Sequence, residues 1–271
     1  MNDPVTPPSN ADVLLCESTY GDREHAPGDP AQLLADIVNR VVKRGGSIVV
    51  PAFAVGRTQT FMYYLRQLED QQRIPRIPVY VDSPMALSAT DLYLKYKTEH
   101  DADYARLDSG GKGDPLDVHE FHLARSVEES KAINNVKTPC IIISASGMAA
   151  GGRVLHHLAL RLPDARNAVI LAGFQAQGTR GRALQEGAKM LNIFGQQVAV
   201  RAEIEEMGQL SAHAGKSELL RWLGGLPAAP KQTYLTHGEP QAAQALQGAI
   251  QEKFKWKAAV ARYLDTVDLT G

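Results

Sequence analysis

Residues 47–57 read Ser-Ile-Val-Val-Pro-Ala-Phe-Ala-Val-Gly-Arg, an apolar, β-branched run of strand length that ends in a turn of small residues and glycine. A helical pattern follows directly over residues 57–69. This order of strand, turn and helix is the unit from which parallel sheets are built. The stretch therefore predicts one βα unit of an α/β protein.

The same alternation continues on both sides of this stretch. It predicts an α/β fold with a mainly parallel sheet flanked by helices. We predict strands at residues 12–16, 47–51, 79–82, 140–144, 168–172, 198–203 and 232–236. We predict helices at residues 30–44, 57–69, 85–98, 127–134, 153–162, 216–223 and 240–253.

Length and composition limit the class of protein. The 271 residues allow one large or two ordinary domains, and 44% hydrophobic with 22% charged residues is typical of a soluble globular protein. No apolar run approaches the roughly 18 residues that span a membrane, so no membrane partner is expected. Lysine and arginine number 29 against 30 acidic residues, so any nucleic-acid site must be local.

Cysteine content and the terminal segments carry weaker signals. Cys16 and Cys140 each lie in an apolar run, which predicts small buried hydrophobes rather than a disulfide. The sequence shows no secretory signal, so a cytoplasmic location is expected. Residues 1–10 read as a linker or turn, and residues 101–119 as a surface loop without assigned chemistry.

Candidate site residues follow the predicted strands, because ligands of open parallel sheets bind beyond the carboxyl ends of the strands. Polar and glycine-rich segments stand at residues 16–21, 51–57, 144–153, 173–180, 211–214 and 236–239. Arg57, Arg153 and Arg180 each come after a glycine turn, where a guanidinium can bind a phosphate through two hydrogen bonds. Any one of them could be a solvated first-turn residue, but three equivalent positions favour phosphate binding.

Two of these stretches resemble a nucleotide-binding P-loop only superficially. Gly215-Lys216-Ser217 would need an earlier glycine where Leu210 stands, and the segment at 173–180 lacks the lysine. A P-loop nucleotidase is therefore not expected.

Two histidines stand apart from the other six. His213 and His237 lie among small residues near strand ends, where an imidazole can serve as metal ligand or proton donor, and Glu17 could orient such a ring. The other six lie in polar loops or helices, where a surface or interface role is enough to explain them. They are His25, His100, His119, His122, His156 and His157, of which His157 is expected to be half-buried. The chain has no His-x-His-x-Asp-His cluster, so these residues alone cannot complete a dinuclear zinc site.

Six motifs in order carry a family resemblance. They are Glu17-Ser-Thr-Tyr-Gly, Pro51-Ala-Phe-Ala-Val-Gly-Arg57, Ser144-Ala-Ser-Gly-Met148, Gly173-Phe-Gln-Ala-Gln-Gly-Thr-Arg180, Ser211-Ala-His213 and Thr236-His237-Gly-Glu239. This set resembles the β-CASP nucleases of the metallo-β-lactamase fold over nearly the whole chain. That family includes bacterial and archaeal ribonucleases and the cleavage subunit of the eukaryotic pre-mRNA 3′-end processing complex.

The resemblance implies roles for three residues. Glu17 corresponds to the acid of motif A, His213 to the histidine of motif B and His237 to the histidine of motif C. His237 would ligate one of two zinc ions. His213, paired with Glu17, would protonate the leaving oxygen or stabilise the scissile phosphate. The other metal ligands lie upstream in the family and do not occur in this chain.

The resemblance also implies a domain layout. Residues 1–22 and 198–271 would form part of a metallo-β-lactamase (αββα) domain that carries the RNA-specificity motifs, and residues 23–197 an inserted β-CASP domain. RNA would pass between the two. The candidate RNA contacts are Arg57, Ser144, Ser146, Gly147, Arg153 and Arg180.

The expected function is that of a zinc-dependent RNA phosphodiester hydrolase, endonucleolytic, 5′ exonucleolytic or both. This chain would be a fragment of it, inactive alone. The alternatives are a noncatalytic paralogue that binds RNA or a nuclease, and an enzyme that hydrolyses DNA. RNA is the expected binding partner. If the chain self-associates, we expect a homodimer.

Overall fold

The structure is a computed structural model that describes residues 7, 10–100, 104–105 and 114–268. Most of the predicted terminal linker and the middle of the predicted loop at residues 101–119 lie outside this range. The described residues divide into two compact units, a larger one over Pro27–Leu210 and a smaller one made by the residues before 27 and after 210. These boundaries fall about four and about thirteen residues later than the predicted junctions after residues 22 and 197.

Strands and helices alternate as the sequence predicts over most of the described residues, apart from three consecutive strands after residue 189. In chain order they are β1 (Val13–Glu17), α1 (Pro30–Lys43), β2 (Ile48–Pro51), α2 (Arg57–Asp70), β3 (Val79–Asp82), α3 (Pro84–Lys95), β4 (Phe121–Leu123), α4 (Val127–Ile133), β5 (Ile141–Ser144), α5 (Val154–Arg161), β6 (Ala168–Leu171), α6 (Arg180–Gln185), β7 (Met190–Ile193), β8 (Gln196–Ala199), β9 (Glu203–Glu206), α7 (Lys216–Leu223), β10 (Gln232–Thr236), α8 (Pro240–Phe254) and β11 (Ala258–Val260). Short 3₁₀ turns cover Lys97–Glu99 and Gly208–Leu210.

The larger unit is built on a six-stranded sheet of order β4-β3-β5-β2-β6-β9, in which every pair is parallel. The predicted parallel sheet is therefore confirmed. Ile48 of β2 lies opposite Ile141 of β5 on one side and Ala168 of β6 on the other. Since parallel strands end at the same edge, the turns that follow β5, β2 and β6 are neighbours there.

Apolar residues cover this sheet on both faces, because alternate side chains of each strand point to opposite sides. Ile48 and Val50 pack with α1 and α2 in one cluster, whereas Val49 packs with α5 and the β7–β8 hairpin in another. Full burial of such a side chain contributes about 1.5–3 kcal/mol. The two layers fix the sheet and hence the turns at its edge.

Helix α1 shows why its segment is helical. Asp29 accepts a hydrogen bond from the Ala31 amide at 2.9 Å and caps the first turn, and Pro30 stands where its missing N–H is not needed. Its buried residues recur every three or four positions, as in Leu34, Val38 and Val41.

One predicted strand is wrong. The segment at residues 198–203 is not one strand, because β8 ends at Ala199 and β9 begins at Glu203. β8 pairs antiparallel with β7, whereas β9 pairs parallel with β6. Between them the Ala202 amide donates to the Leu162 carbonyl, so the chain changes partners within three residues.

The smaller unit holds a three-stranded parallel sheet of order β1-β10-β11. Helices α7 and α8 pack on it through a cluster that includes Leu14, Leu223, Leu235 and Leu246. Cys16 is buried in this cluster and Cys140 in the larger unit, both without a disulfide, as predicted. Among the described residues, no helix has the length and apolar character needed to cross a membrane.

Candidate metal and nucleic-acid sites

The pairing of β1 with β10 brings the first two candidate residues together. Glu17, the last residue of β1, lies opposite Thr236, the last residue of β10, so His237 follows at the same end of the sheet. The Ser18 hydroxyl donates to the Thr236 carbonyl at 2.8 Å, which joins the two strand ends. Two motifs that are far apart in sequence thus meet at one sheet edge.

His213 reaches the same place from the segment before α7. A backbone bridge between Tyr20 and Gly215 holds this segment beside the turn that follows β1. His213 Nδ1 then lies 3.4 Å from Glu17 Oε1, and the Tyr20 ring contacts the imidazole edge-on at 6.3 Å between centroids. The Thr19 amide donates to Glu17 Oε2 at 2.7 Å. Glu17 is therefore oriented towards His213.

The backbone at His237 is in the left-handed region, with φ of +61°. Thr19 Oγ1 lies 3.1 Å from His237 Nδ1, so Nε2 is the ring nitrogen open to a ligand. Gly238 follows in close contact with Ser18, because a Cβ added at this glycine would lie 2.4 Å from the Ser18 carbonyl oxygen. The turn thus places His237 at the protein surface, with its Nδ1 in contact with Thr19.

Glu17, His213 and His237 each offer one potential ligand atom, and these atoms all lie within 4.8 Å of one another. Within the described part of the chain they form the only such group of three or more His, Cys, Asp or Glu residues. Imidazole nitrogen and carboxylate oxygen are common ligands of zinc. Three donors suit part of a zinc site, but a tetrahedral ion takes four ligands and a pair of ions takes more. The residues therefore fit one side of a metal centre.

Three of the predicted RNA-contact residues lie, partly buried, at the carboxyl edge of the larger sheet. Arg57 begins α2 after Gly56, and Ser146 lies in the turn after β5, where its hydroxyl accepts from the Ala150 amide at 3.1 Å. Arg180 begins α6 and donates to the carbonyls of Asn192 at 2.7 Å and Ala150 at 3.1 Å. The fold thus places these three turns side by side.

The predicted contacts of Ser144 and Gly147 need correction. Ser144 is 1% exposed, and its hydroxyl donates to the Asp82 carbonyl at 2.9 Å, so it joins β5 to β3 rather than facing a ligand. Gly147 is also buried, because a Cβ added there would lie 2.8 Å from the Phe53 ring. Both residues shape the turn from within.

Arg153 was predicted to contact a phosphate, but part of its guanidinium bonds to other residues of the protein. Its Nη1 donates to Asp82 Oδ1 at 2.8 Å and to the Ala124 carbonyl at 3.1 Å. One end of the guanidinium is therefore committed to an internal ion pair, although the side chain remains 23% exposed.

Asp82, the acid of this ion pair, was not among the predicted site residues. Asp82 is fully buried and also accepts from His157 Nε2 at 2.7 Å and Ser130 Oγ at 2.6 Å. Burial alone would raise the pKa of Asp82, but the hydrogen bonds from His157, Ser130 and Arg153 outweigh it and hold the pKa below its ordinary value. His157, expected to be half-buried, is 1% exposed. The available signal was an acid that directly ends an apolar strand.

The fold and these residues define an α/β protein whose smaller unit carries a Glu-His-His group suited to a metal. Residues 58–184 match the Beta-Casp domain, and residues 197–261 match the Zn-dependent metallo-hydrolase RNA specificity domain. The chain belongs to the β-CASP family of metallo-β-lactamase-fold proteins.

Three relatives support this assignment. Ribonuclease TTHA0252 of Thermus thermophilus is 37% identical over 249 residues, covering 90% of this chain and 55% of the relative. Transcription termination factor FttA of Pyrococcus abyssi is 32% identical, with 97% and 42% covered. An RNase J-like protein of Methanocaldococcus jannaschii is 32% identical, with 84% and 52% covered. The chain thus spans about half the length of these relatives.

Proposed function

We propose that this chain is the β-CASP and RNA-specificity part of a zinc-dependent enzyme that hydrolyses RNA phosphodiester bonds. The observation that carries the proposal is the convergence of Glu17, His213 and His237 within 4.8 Å. The relatives named as ribonucleases, and the RNA-specificity domain that matches the chain, support RNA as substrate.

His237 is the proposed zinc ligand of this chain, through Nε2, while Thr19 holds the other ring nitrogen. Zinc would supply a Lewis acid and an activated water for attack on phosphorus. His213 would donate a proton to the leaving oxygen, or a hydrogen bond to the phosphate, and Glu17 would orient the ring. We propose that the remaining ligands come from outside these 271 residues, so that the chain alone does not cleave.

Arg57, Ser146 and Arg180 are the proposed contacts to the RNA backbone. Two of them are cations at the first turn of helices that begin at the carboxyl edge of the sheet, and a hydroxyl lies in the turn after β5, beside the turn of Arg57. Arginine and serine are common phosphate partners in nucleic-acid complexes. Because the overall charge is −1, such a local group is the part of the surface that suits a polyanion.

The test uses the intact protein in which this chain is joined to the rest of the metallo-β-lactamase domain. We expect zinc-dependent cleavage of a single-stranded RNA, and we expect Glu17→Gln or His213→Ala to lower kcat by about 10²–10⁴-fold. Glu252→Gln is the matched control, because Glu252 is an exposed carboxylate in α8. Circular dichroism melts of all variants would exclude unfolding as the cause.

The same assay separates the other hypotheses. An intact, zinc-loaded protein that binds RNA without cleaving it would contradict the enzyme and support the noncatalytic paralogue. Faster cleavage of a DNA strand of matched sequence would contradict RNA as the substrate.

A further inference from the structure

The tip of the β7–β8 hairpin carries an aromatic pair to which the site described above assigns no role. Phe194 is 58% exposed, and its ring lies 4.5 Å from the His156 ring at 30° between planes. His156 is itself exposed on α5. The two rings thus form one aromatic surface, named here the Phe194–His156 platform.

The backbone conformation of Phe194 indicates that the hairpin turn does not require an aromatic side chain at this position. Phe194 has φ of +53°, and Gly195 follows at +77°. Two consecutive positive φ values are typical of a tight hairpin turn that favours asparagine or aspartate followed by glycine. A bulky aromatic residue is strained in this region. The core does not need the ring either, because Leu191 and Ile193 are the buried residues of β7.

The platform stands beside the edge of the larger sheet. Arg180 Nε donates to the Asn192 carbonyl in the hairpin, and its Nη1 donates to the Ala150 carbonyl in the turn after β5. One arginine therefore joins the hairpin to two of the turns proposed to bind the RNA backbone. His156 lies on the helix that follows the same turn.

The sequence around the platform has no negative charge. Residues 145–163 and residues 187–202 contain no Asp or Glu, in a chain with 30 acidic residues. The two segments contain four cationic residues, of which Lys189 and Arg201 are exposed, Arg161 is buried and Arg153 pairs with Asp82. An exposed aromatic face carried by two segments without acidic residues suits a ligand with flat rings and a negative backbone, which is single-stranded nucleic acid.

We propose that the Phe194–His156 platform stacks an unpaired base of the RNA strand whose phosphates meet the turns at the sheet edge. The inference rests on the proposed RNA-directed function and adds a base-binding site to it. Stacking tolerates any base, because each presents a flat aromatic face. A protein partner could also cover an exposed ring, but the lack of acids and the link through Arg180 favour a polyanion.

The experiment measures fluorescence anisotropy of a labelled, unstructured single-stranded RNA with this chain. Phe194→Asn removes the ring and supplies a residue that the turn favours, so the thermal midpoint should hold or rise while the dissociation constant increases about tenfold. Phe194→Trp should retain binding. Tyr263→Ala is the matched control, because Tyr263 is an exposed aromatic residue in the smaller unit, at 92% exposure.

Two further measurements separate stacking from charge. Phe194→Asn should leave the salt dependence of binding unchanged, whereas Arg57→Gln should reduce its slope by about one. On a base-free sugar-phosphate strand, the wild type and Phe194→Asn should bind equally.

The outcomes distinguish this inference from the proposed function. If the wild type binds no RNA, both fail. If Arg57→Gln weakens binding but Phe194→Asn does not, only the platform fails. If Phe194→Asn lowered the affinity for the base-free strand as much as the affinity for RNA, base stacking would also be contradicted. Base stacking would likewise be contradicted if Phe194→Asn bound RNA as the wild type does but no longer self-associated in sedimentation. The platform would then be a contact between protein chains.

Discussion

The Thr19 hydroxyl lies 3.1 Å from Nδ1 of His237, and it is buried beneath the imidazole that it contacts. A partner on the non-ligating nitrogen fixes the orientation and tautomer of a metal-binding histidine. Thr19 is one residue from Ser18, which joins the same two strand ends. The turn after β1 therefore both builds the edge of the sheet and orients the proposed ligand.

Replacing Thr19 by valine should weaken zinc binding by about 10–100-fold, the usual effect of losing such a partner. Zinc would be titrated into the protein in competition with a chromophoric chelator. Thr266→Val is the control, because Thr266 is exposed. Equal zinc affinity in wild type and Thr19→Val would contradict the orienting role, and a wild type without zinc affinity would contradict the ligand assignment.

Replacing Asp82 by asparagine should lower the free energy of unfolding by about 3–5 kcal/mol, because Arg153 then lacks its buried counter-charge. The pKa of Asp82 is held below its ordinary value of 3.8, so its contribution is complete above that pH and is lost as the pH falls further. Urea unfolding at neutral pH and near pH 3 measures both effects. Asp91→Asn, at an exposed site on α3, should change stability by less than about 0.5 kcal/mol.

A pair of acids on β9 predicts a different pH dependence. Burial and the neighbouring Glu203 raise the pKa of Glu205 to about 7, whereas hydrogen bonds involving Glu205, Arg40 and Arg44 lower that of Glu203 to about 2 despite partial burial. A carboxyl whose folded pKa is raised loses its stabilising contribution as the pH rises from 4.5 to 7. Glu205→Gln should therefore stabilise the protein at pH 8 but not at pH 4.

The size of this effect should be roughly 1 kcal/mol, because solvent screens charges near the surface. Urea unfolding at the two pH values measures it, and Glu128→Gln, at an exposed position of α4, is the control. A gain for Glu205→Gln that is the same at both pH values would refute the proposed titration.

The sequence predicted the sheet well because buried parallel strands such as β2 and β5 are continuous apolar runs followed by glycine turns. It missed β4, β7 and β11, none of which is a fully buried apolar run. Such strands depend on their pairing partners rather than on their own pattern. The predicted strand at residues 198–203 was wrong for the same reason, since the hairpin takes Val198 and Ala199 for β8.

At the candidate site, Glu17, His213 and His237, which the motifs singled out, lie close together in the structure. The sequence could not identify Ser144 as buried or Asp82 as the partner of Arg153, because both follow from how β3 and β5 align. A motif shows which residues occur together. Only the register of the strands shows which side chains face inward.

Two glycines of the smaller unit differ in the space around them. A Cβ added at Gly238 would lie 2.4 Å from both the carbonyl and the hydroxyl oxygen of Ser18, whereas one added at Gly248 meets nothing within 4 Å. Gly238→Ala should therefore push the β10 turn away from β1 and cost about 1–3 kcal/mol of stability. Gly248→Ala, at an exposed position inside α8, should instead add up to about 1 kcal/mol, because alanine favours the helix.

Thermal unfolding of the two variants beside the wild type measures the difference. The same substitution should then move the midpoint in opposite directions at the two positions. Because Gly238 directly follows His237, Gly238→Ala should also lower zinc affinity, while Gly248→Ala leaves it unchanged. A Gly238→Ala protein with wild-type stability and zinc affinity would show that the contact with Ser18 does not position the histidine.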